Sequence, residues 1–85
     1  MVDNKIAFSS RLKELRSSRG LTQENVAREL NITTRNYALW EQGKSFPNYS
    51  FLRSLCLFFS VSSDYLLCLI DDPLPLEKQR IKGEK

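Results

Sequence analysis

Histidine is absent from this chain of 85 residues, and cysteine, glycine and proline occur two, three and three times. Without histidine, Cys56 and Cys68 cannot complete a common zinc-binding set, and their spacing is not that of a metal site. The glycines form no glycine-rich loop of the kind that cradles phosphates. No nucleophile is paired with a base. These absences argue against an enzyme. We therefore expect that the chain binds no metal, no cofactor and no small-molecule substrate.

Long apolar runs are missing as well. No stretch approaches the roughly 18 residues of a membrane-spanning helix, and the N-terminus lacks the apolar core of a secretory signal. We therefore expect no leader and no membrane contact, and a cytoplasmic chain in which Cys56 is a small core residue rather than half of a disulfide. The length of 85 residues allows one small domain with a modest core.

Charge is unevenly distributed along the chain, although the net charge is only +3. Residues 1–53 hold nine Lys and Arg against five Asp and Glu, whereas residues 54–72 hold three acidic residues and no basic one. The basic first half suits a surface that faces phosphates. An ordinary solvated surface is the alternative, and charge alone does not exclude it.

Residues 21–47 predict two short helices joined by a tight turn. Thr22 and Thr33 are candidate N-caps, Asn31 tolerates the left-handed conformation that ends a helix, and Gly43 is a candidate stop. Apolar residues recur at helical spacing in the first helix: Val26, Ala27 and Leu30. This is the layout of a helix-turn-helix, in which the second helix enters the major groove of DNA.

The second of these helices has two faces of different character. Tyr37 and Trp40 are spaced to point together toward the core. The residues left on the outer face are Thr34, Arg35, Asn36, Ala38, Leu39 and Gln42. This outer face is predicted to meet whatever the segment binds.

Apolar periodicity predicts an all-α domain over residues 5–70. Its helices are expected at about 5–19, 23–30, 34–42, 49–60 and from 63 onward. In the fourth, the inward residues are expected to be Leu52, Leu55, Cys56 and Phe59. Residues 71–85 are interpreted as a charged C-terminal tail, although Leu74 and Leu76 could dock on the domain.

In this order of elements the chain resembles the lambda-repressor/Cro-like family of helix-turn-helix transcriptional regulators, often called the Xre family. The segments that carry the resemblance are 11–16 (RLKELR), 20–24 (GLTQE), Ala27, Ile32, 40–44 (WEQGK), Pro47, Val61, Ser62 and 64–67 (DYLL). The resemblance implies a five-helix lambda-repressor-like fold with the helix-turn-helix at helices 2 and 3. It also implies a homodimer that binds double-stranded DNA.

The resemblance further implies roles for individual residues. Phosphate contacts would fall to Gln23, Asn36 and Lys44, and base contacts to Thr34, Arg35, Ala38 and Leu39. Arg35 is able to contact guanine through two hydrogen bonds, with a phosphate contact as the equally weighted alternative. Ala38 and Leu39 depart from the polar residues that many relatives carry. They could contact thymine methyl groups but form no hydrogen bond to a base edge.

Members of this family also carry an ion pair at the positions of Arg16 and Glu41. Here the pair would fasten the predicted recognition helix to the first helix. The alternative is two independent surface charges, which would contribute little to stability.

More apolar residues follow residue 50 than a small core needs. Those in apparent excess are Phe51, Leu57, Phe58, Leu69 and Ile70. Relatives often have glycine, a residue that ends helices, at the position of Cys68. Because this chain has cysteine there instead, we expect the fifth helix to continue past residue 68. Because exposed apolar patches mark interfaces, we expect these five residues to form a homodimer contact. The alternative is that Leu74 and Leu76 of the tail cover them.

The function predicted from these features is that of a sequence-specific DNA-binding transcriptional regulator, a repressor, that reads the major groove with helix 3. The alternative is a protein-interaction module, such as an antitoxin-like or anti-repressor factor, whose apolar faces grip another protein. Salt-dependent duplex binding favours the first. Tight association with a partner protein in the absence of DNA favours the second.

Overall fold

A computed structural model describes residues 4–71, which contain five helices and no strand. The helices are α1 (Asn4–Ser18), α2 (Gln23–Leu30), α3 (Thr34–Glu41), α4 (Tyr49–Phe59) and α5 (Ser63–Leu66). The predicted all-α fold and its order of helices are confirmed. None of these helices is long and apolar enough to cross a membrane. Leu74 and Leu76, like the rest of the expected tail beyond Asp71, lie outside the described residues.

A polar side chain fixes the start of each helix from α2 to α5. The caps are Thr22, Thr33, Asn48 and Ser62, and each accepts a hydrogen bond from the backbone N–H three residues later. At α2 the cap is reciprocal, because Asn25 Oδ1 accepts from the Thr22 N–H at 2.9 Å. These bonds satisfy donors that a helix start leaves without an intrahelical partner. The first turns of α2 and α3 therefore have fixed positions.

A left-handed residue follows each of the five helices. These residues are Gly20, Asn31, Gly43, Ser60 and Cys68. The next backbone N–H then turns back onto the helix, as Lys44 N–H does to Leu39 O at 3.0 Å. The prediction that helix 5 continues through Cys68 is wrong, because α5 ends at Leu66 and Cys68 has a φ of 65°. Glycine would adopt this conformation without the steric strain that a cysteine carries there.

One apolar cluster connects the helices. Its members are Phe8, Leu12, Leu15, Val26, Ala27, Tyr37, Trp40, Leu55, Cys56, Phe59, Val61 and Leu66, with Leu52 packed partly buried against them. Trp40 is 6% exposed, and its ring lies edge-on to Tyr37 with 5.7 Å between centroids. Both cysteines are free, and burial raises the pKa of the Cys56 thiol. The predicted core positions of Tyr37, Trp40 and Cys56 are confirmed.

A buried ion pair joins α1 to α3. Arg16 donates from Nε to Glu41 Oε2 at 2.6 Å and from Nη2 to Oε1 at 3.0 Å. The Tyr37 hydroxyl donates to Oε2 at 2.6 Å, and the Glu41 side chain is only 2% exposed. Arg16 also donates to the carbonyl of Leu21 at 2.8 Å, just before α2. The C-terminal end of α3 is therefore tied to α1 and to the chain entering α2.

The charges of this pair are stable in the folded state. Burial by itself would raise the pKa of Glu41, but hydrogen bonds from Arg16, Tyr37 and Gln23 outweigh it and hold that pKa below its ordinary value. The hydrogen bond to Glu41 raises the pKa of Arg16. Burial, together with the bond to Glu41, raises the pKa of the Tyr37 phenol. At neutral pH the pair is thus ionised and the phenol protonated.

Replacement of Trp40 by alanine should strongly destabilise the domain. Loss of the indole leaves a cavity beside Tyr37, so the free energy of unfolding should fall by about 3–5 kcal/mol. Urea unfolding followed by circular dichroism measures the change. A variant that is already unfolded without urea would also agree with the prediction, because the expected loss is comparable to the whole stability of a small domain. The control is Tyr49→Ala, because Tyr49 is 78% exposed. If both variants lose the same stability, the packing described for Trp40 is wrong.

Acid should remove the contribution of Glu41 to stability. Its folded pKa lies below the unfolded value of about 4.3, so the contribution is present above that pH and is lost as the pH falls through the folded pKa. Glu41→Gln should therefore be less stable than the wild type at pH 7, and the difference should shrink below about pH 4. The measurement is the urea midpoint between about pH 7 and pH 2. The exposed Glu14, changed to glutamine, is the control, and a Glu41→Gln difference that does not vary with pH would contradict the assignment.

Candidate nucleic-acid interface

The segment predicted as a helix-turn-helix consists of α2, a turn and α3. Asn31 ends α2 in a left-handed conformation, and Thr33 caps α3. α2 packs against α3, which also packs against α1. Small Ala27 is buried on α2, and Ile32 in the turn packs against the core. The turn is therefore held by its caps and by apolar contacts on its inner side.

The outer face of α3 is polar at its start and apolar in its middle. Thr34, Arg35 and Asn36 are exposed, whereas Ala38 and Leu39 are half-buried. Of the residues predicted to contact bases, Thr34 and Arg35 are therefore freely accessible from solvent. Ala38 and Leu39 present only part of their surface.

The starts of α2 and α3 offer backbone hydrogen-bond donors. Their threonine caps engage the third and fourth N–H groups of each helix. The first two N–H groups, those of Gln23 and Glu24 in α2 and of Thr34 and Arg35 in α3, keep no acceptor within residues 4–71. Free amides at the positive end of a helix dipole favour an anion such as phosphate.

The three residues predicted to contact phosphates differ in their surroundings. Asn36 is exposed in the first turn of α3, and Lys44 is exposed three residues after α3 ends at Glu41. Gln23 is half-buried, and its Nε2 donates to Glu41 Oε1 at 3.0 Å. The sequence predicts separate roles for Gln23 and Glu41 and does not predict this contact. No local signal indicates it, because the two residues are 18 positions apart.

Several basic side chains form an ion pair or a hydrogen bond within the domain. Arg28 pairs with Glu24 at 3.1 Å on the surface of α2. Arg19 donates to the carbonyl of Phe59 at 2.9 Å. Arg35 and Lys44, in contrast, form no ion pair within the described part of the chain. Their charges are therefore available to an anionic partner.

The five residues predicted to form a dimer contact are not equally accessible. Leu57, Leu69 and Ile70 are exposed by 50%, 70% and 37%. Phe51 and Phe58 are half-buried and pack against the core, each in contact with an aromatic ring. Leu57, Leu69 and Ile70 thus offer most of the open surface of this set.

Comparison with known proteins places these features in a family. A model of the helix-turn-helix domain matches residues 9–71. The HTH-type transcriptional activator BcrR of Enterococcus faecalis is 40% identical over 60 residues, which are 71% of this chain and 29% of BcrR. The SPbeta prophage-derived regulator YonR of Bacillus subtilis is 40% identical over 60 residues, 71% of this chain and 56% of YonR. The cryptic phage CTXphi transcriptional repressor RstR of Vibrio cholerae is 33% identical over 54 residues, 64% of this chain and 49% of RstR.

The matched part of this chain therefore covers only between 29% (BcrR) and 56% (YonR) of the length of these relatives. No solved structure gives a significant match. The matched family region runs from Ser9, within α1, to Asp71, the last described residue, and so contains the capped turn and the whole of α3. Because this region is most of the sequence, the chain belongs to the helix-turn-helix domain family, as its sequence predicts.

Proposed function

We propose that this chain is a sequence-specific regulator of transcription that places α3 in the major groove of double-stranded DNA. The observation that carries the proposal is the arrangement of α3. Its inner side is fixed to the core through Tyr37 and Trp40, while the exposed Arg35 and Lys44 have no ionic partner within residues 4–71. A helix that is packed on its inner side, with one such cation in its first turn and another just after its end, suits the negatively charged phosphates that border a DNA groove.

Contacts to the phosphate backbone would set the position of the domain on DNA. Gln23, Asn36 and Lys44 are the proposed side-chain contacts, aided by the free amides at the start of α2. Base contacts would come from Thr34, Arg35, Ala38 and Leu39. Within this set, Arg35 supplies hydrogen bonds to guanine, and the apolar pair supplies contacts to thymine methyl groups.

Repression is the proposed direction of regulation. A small domain that occupies promoter DNA excludes the transcription machinery without needing a catalytic group. The matched relatives include one named an activator and one named a repressor. Direction therefore has to be tested with a reporter gene behind the bound site, where repression predicts reduced expression.

A homodimer is the proposed DNA-binding form. Leu57, Leu69 and Ile70 would supply the open part of the contact, with Phe51 and Phe58 at its inner margin. Two-fold pairing would place the two copies of α3 about 34 Å apart, one turn of DNA, on a symmetric operator.

A protein-interaction module is the second candidate function. The observation in its favour is the exposure of three apolar side chains, those of Leu57, Leu69 and Ile70, together with the half-buried apolar centre of α3. Such surfaces also fit an antitoxin-like or anti-repressor factor that binds another protein. Affinity for a duplex that falls steeply with salt favours the DNA-binding function over this one.

Loss of the Lys44 charge should weaken binding to every duplex alike. Lys44→Ala should lower the slope of log affinity against log salt by about one unit, because one phosphate contact is lost. Arg35→Ala should instead relax the preference at one base pair of sites selected from a random library. Lys13→Ala, an exposed lysine on α1, is the charge-matched control. If neither Lys44→Ala nor Arg35→Ala changes the affinity for duplex DNA, the proposed role of α3 is wrong.

A charge placed in the apolar contact should separate the dimer. Leu57 is half exposed, so Leu57→Glu leaves the core intact while it opposes burial of the contact. Phe58 is less suitable, because it packs on Phe59 and its loss also affects the fold. Sedimentation velocity should show a wild-type dimer and a folded Leu57→Glu monomer with weaker operator binding. Tyr49→Glu is the control at another exposed position of α4, and a wild-type monomer would contradict the proposed assembly.

A further inference from the structure

The carboxylate of Glu41 accepts four hydrogen bonds. Oε2 accepts from Arg16 Nε and from the Tyr37 hydroxyl, both at 2.6 Å. Oε1 accepts from Arg16 Nη2 and Gln23 Nε2, both at 3.0 Å. Since a carboxylate has about four acceptor directions, the group is saturated. The amide of Gln23 thus occupies a defined place in the set instead of resting loosely against it.

This contact limits the orientation of the Gln23 side chain. Its Nε2 carries two hydrogens in the plane of the amide. One of them is directed at Glu41, and no other hydrogen bond of this side chain is formed within residues 4–71. The second hydrogen is therefore free and has a fixed direction. Gln23 is also the first residue of α2, where its own backbone N–H and that of Glu24 have no acceptor in the described chain.

We propose that Glu41 is a positioning residue, which holds the amide of Gln23 ready to donate to a DNA phosphate at the start of α2. This inference rests on the proposed DNA-binding function and adds a residue that touches no DNA. A surface glutamine loses rotamer freedom when it binds a phosphate, whereas a glutamine already held loses less. The negative charge of Glu41 does not oppose the phosphate strongly, because Arg16 neutralises it.

A double-mutant cycle on duplex DNA tests the proposal. The probe is a random-sequence duplex of about 20 base pairs, since a phosphate contact does not depend on sequence. Gln23→Ala should weaken binding about fivefold, the effect of one hydrogen bond, without changing the salt slope, because glutamine carries no charge. Glu41→Gln should weaken binding by a smaller factor, since Arg16 and Gln23 then compete for a single oxygen. The double variant should bind no more weakly than Gln23→Ala.

Tyr37→Phe is the matched control for a loss of rigidity. It removes one donor from Oε2 and leaves the bond from Gln23 to Oε1 in place. Stability should fall in this variant, while duplex affinity of the folded protein should stay at the wild-type value. If Tyr37→Phe and Glu41→Gln weaken binding equally, Glu41 acts only through the fold, and the inference is overturned.

Two further outcomes separate this inference from the proposed function. Suppose that the wild type binds duplex DNA with the expected salt dependence, while the factors by which Gln23→Ala and Glu41→Gln weaken binding multiply in the double variant. In that case the inference alone fails. If the wild type shows no salt-dependent duplex affinity, the proposed function fails, and the inference with it. If the Glu41→Gln variant does not fold, the mobility of the Gln23 side-chain amide in the wild type can be measured by NMR instead.

The measurement is the heteronuclear NOE of the Gln23 side-chain amide. A value equal to that of the helical backbone supports an amide held by Glu41, and a value typical of free rotation overturns the inference.

Discussion

The buried carboxylate of Glu41 is the constraint on which the placement of α3 depends. A charge that is 2% exposed is strongly destabilising unless it is paired and hydrogen-bonded. The donors that satisfy it come from three helices: Arg16 from α1, Gln23 from α2 and Tyr37 from α3 itself. One ionised group therefore fixes the relative position of all three helices. The pair between Arg28 and Glu24 has no such effect, because both side chains are about two-thirds exposed, at 67% and 69%.

Arg11 of α1 fixes α5 and the residues after it in a comparable way. Its Nη1 donates to the carbonyls of Tyr65 and Ile70 at 3.0 and 2.9 Å, and its guanidinium lies over the Tyr65 ring. Cys68 adds a bond from its thiol to the carbonyl of Ala7 at 3.3 Å. α5 is only four residues long, so these contacts with α1 hold the segment that follows it. Leu69 and Ile70 are consequently presented at a fixed place, which lowers the entropy lost if a second copy binds there.

The order of the helices and most of their boundaries could be predicted because polar caps and turn residues have local signals. Thr22 and Thr33 are recognisable as caps, and Asn31 and Gly43 as residues that end a helix. Ser60 and Cys68 adopt the same left-handed conformation, but neither residue type indicates it. Burial around α3 was harder to predict, since an eight-residue helix turns only about twice and its rotation is set by packing. The half-burial of Leu39 and the contact between Gln23 and Glu41 both depend on that rotation.

The apolar centre of α3 links the proposed DNA contact to the proposed dimer. Hydrogen-bonding side chains are exposed mainly in the first turn of α3, at Thr34, Arg35 and Asn36. One copy of α3 could therefore read only a few base edges, and each mismatched pair costs roughly 1–3 kcal/mol. Discrimination among many competing sites needs more positions than that, and a second copy on a symmetric site doubles them. The weaker the reading by a single α3, the more the specificity of the proposed regulator depends on its pairing.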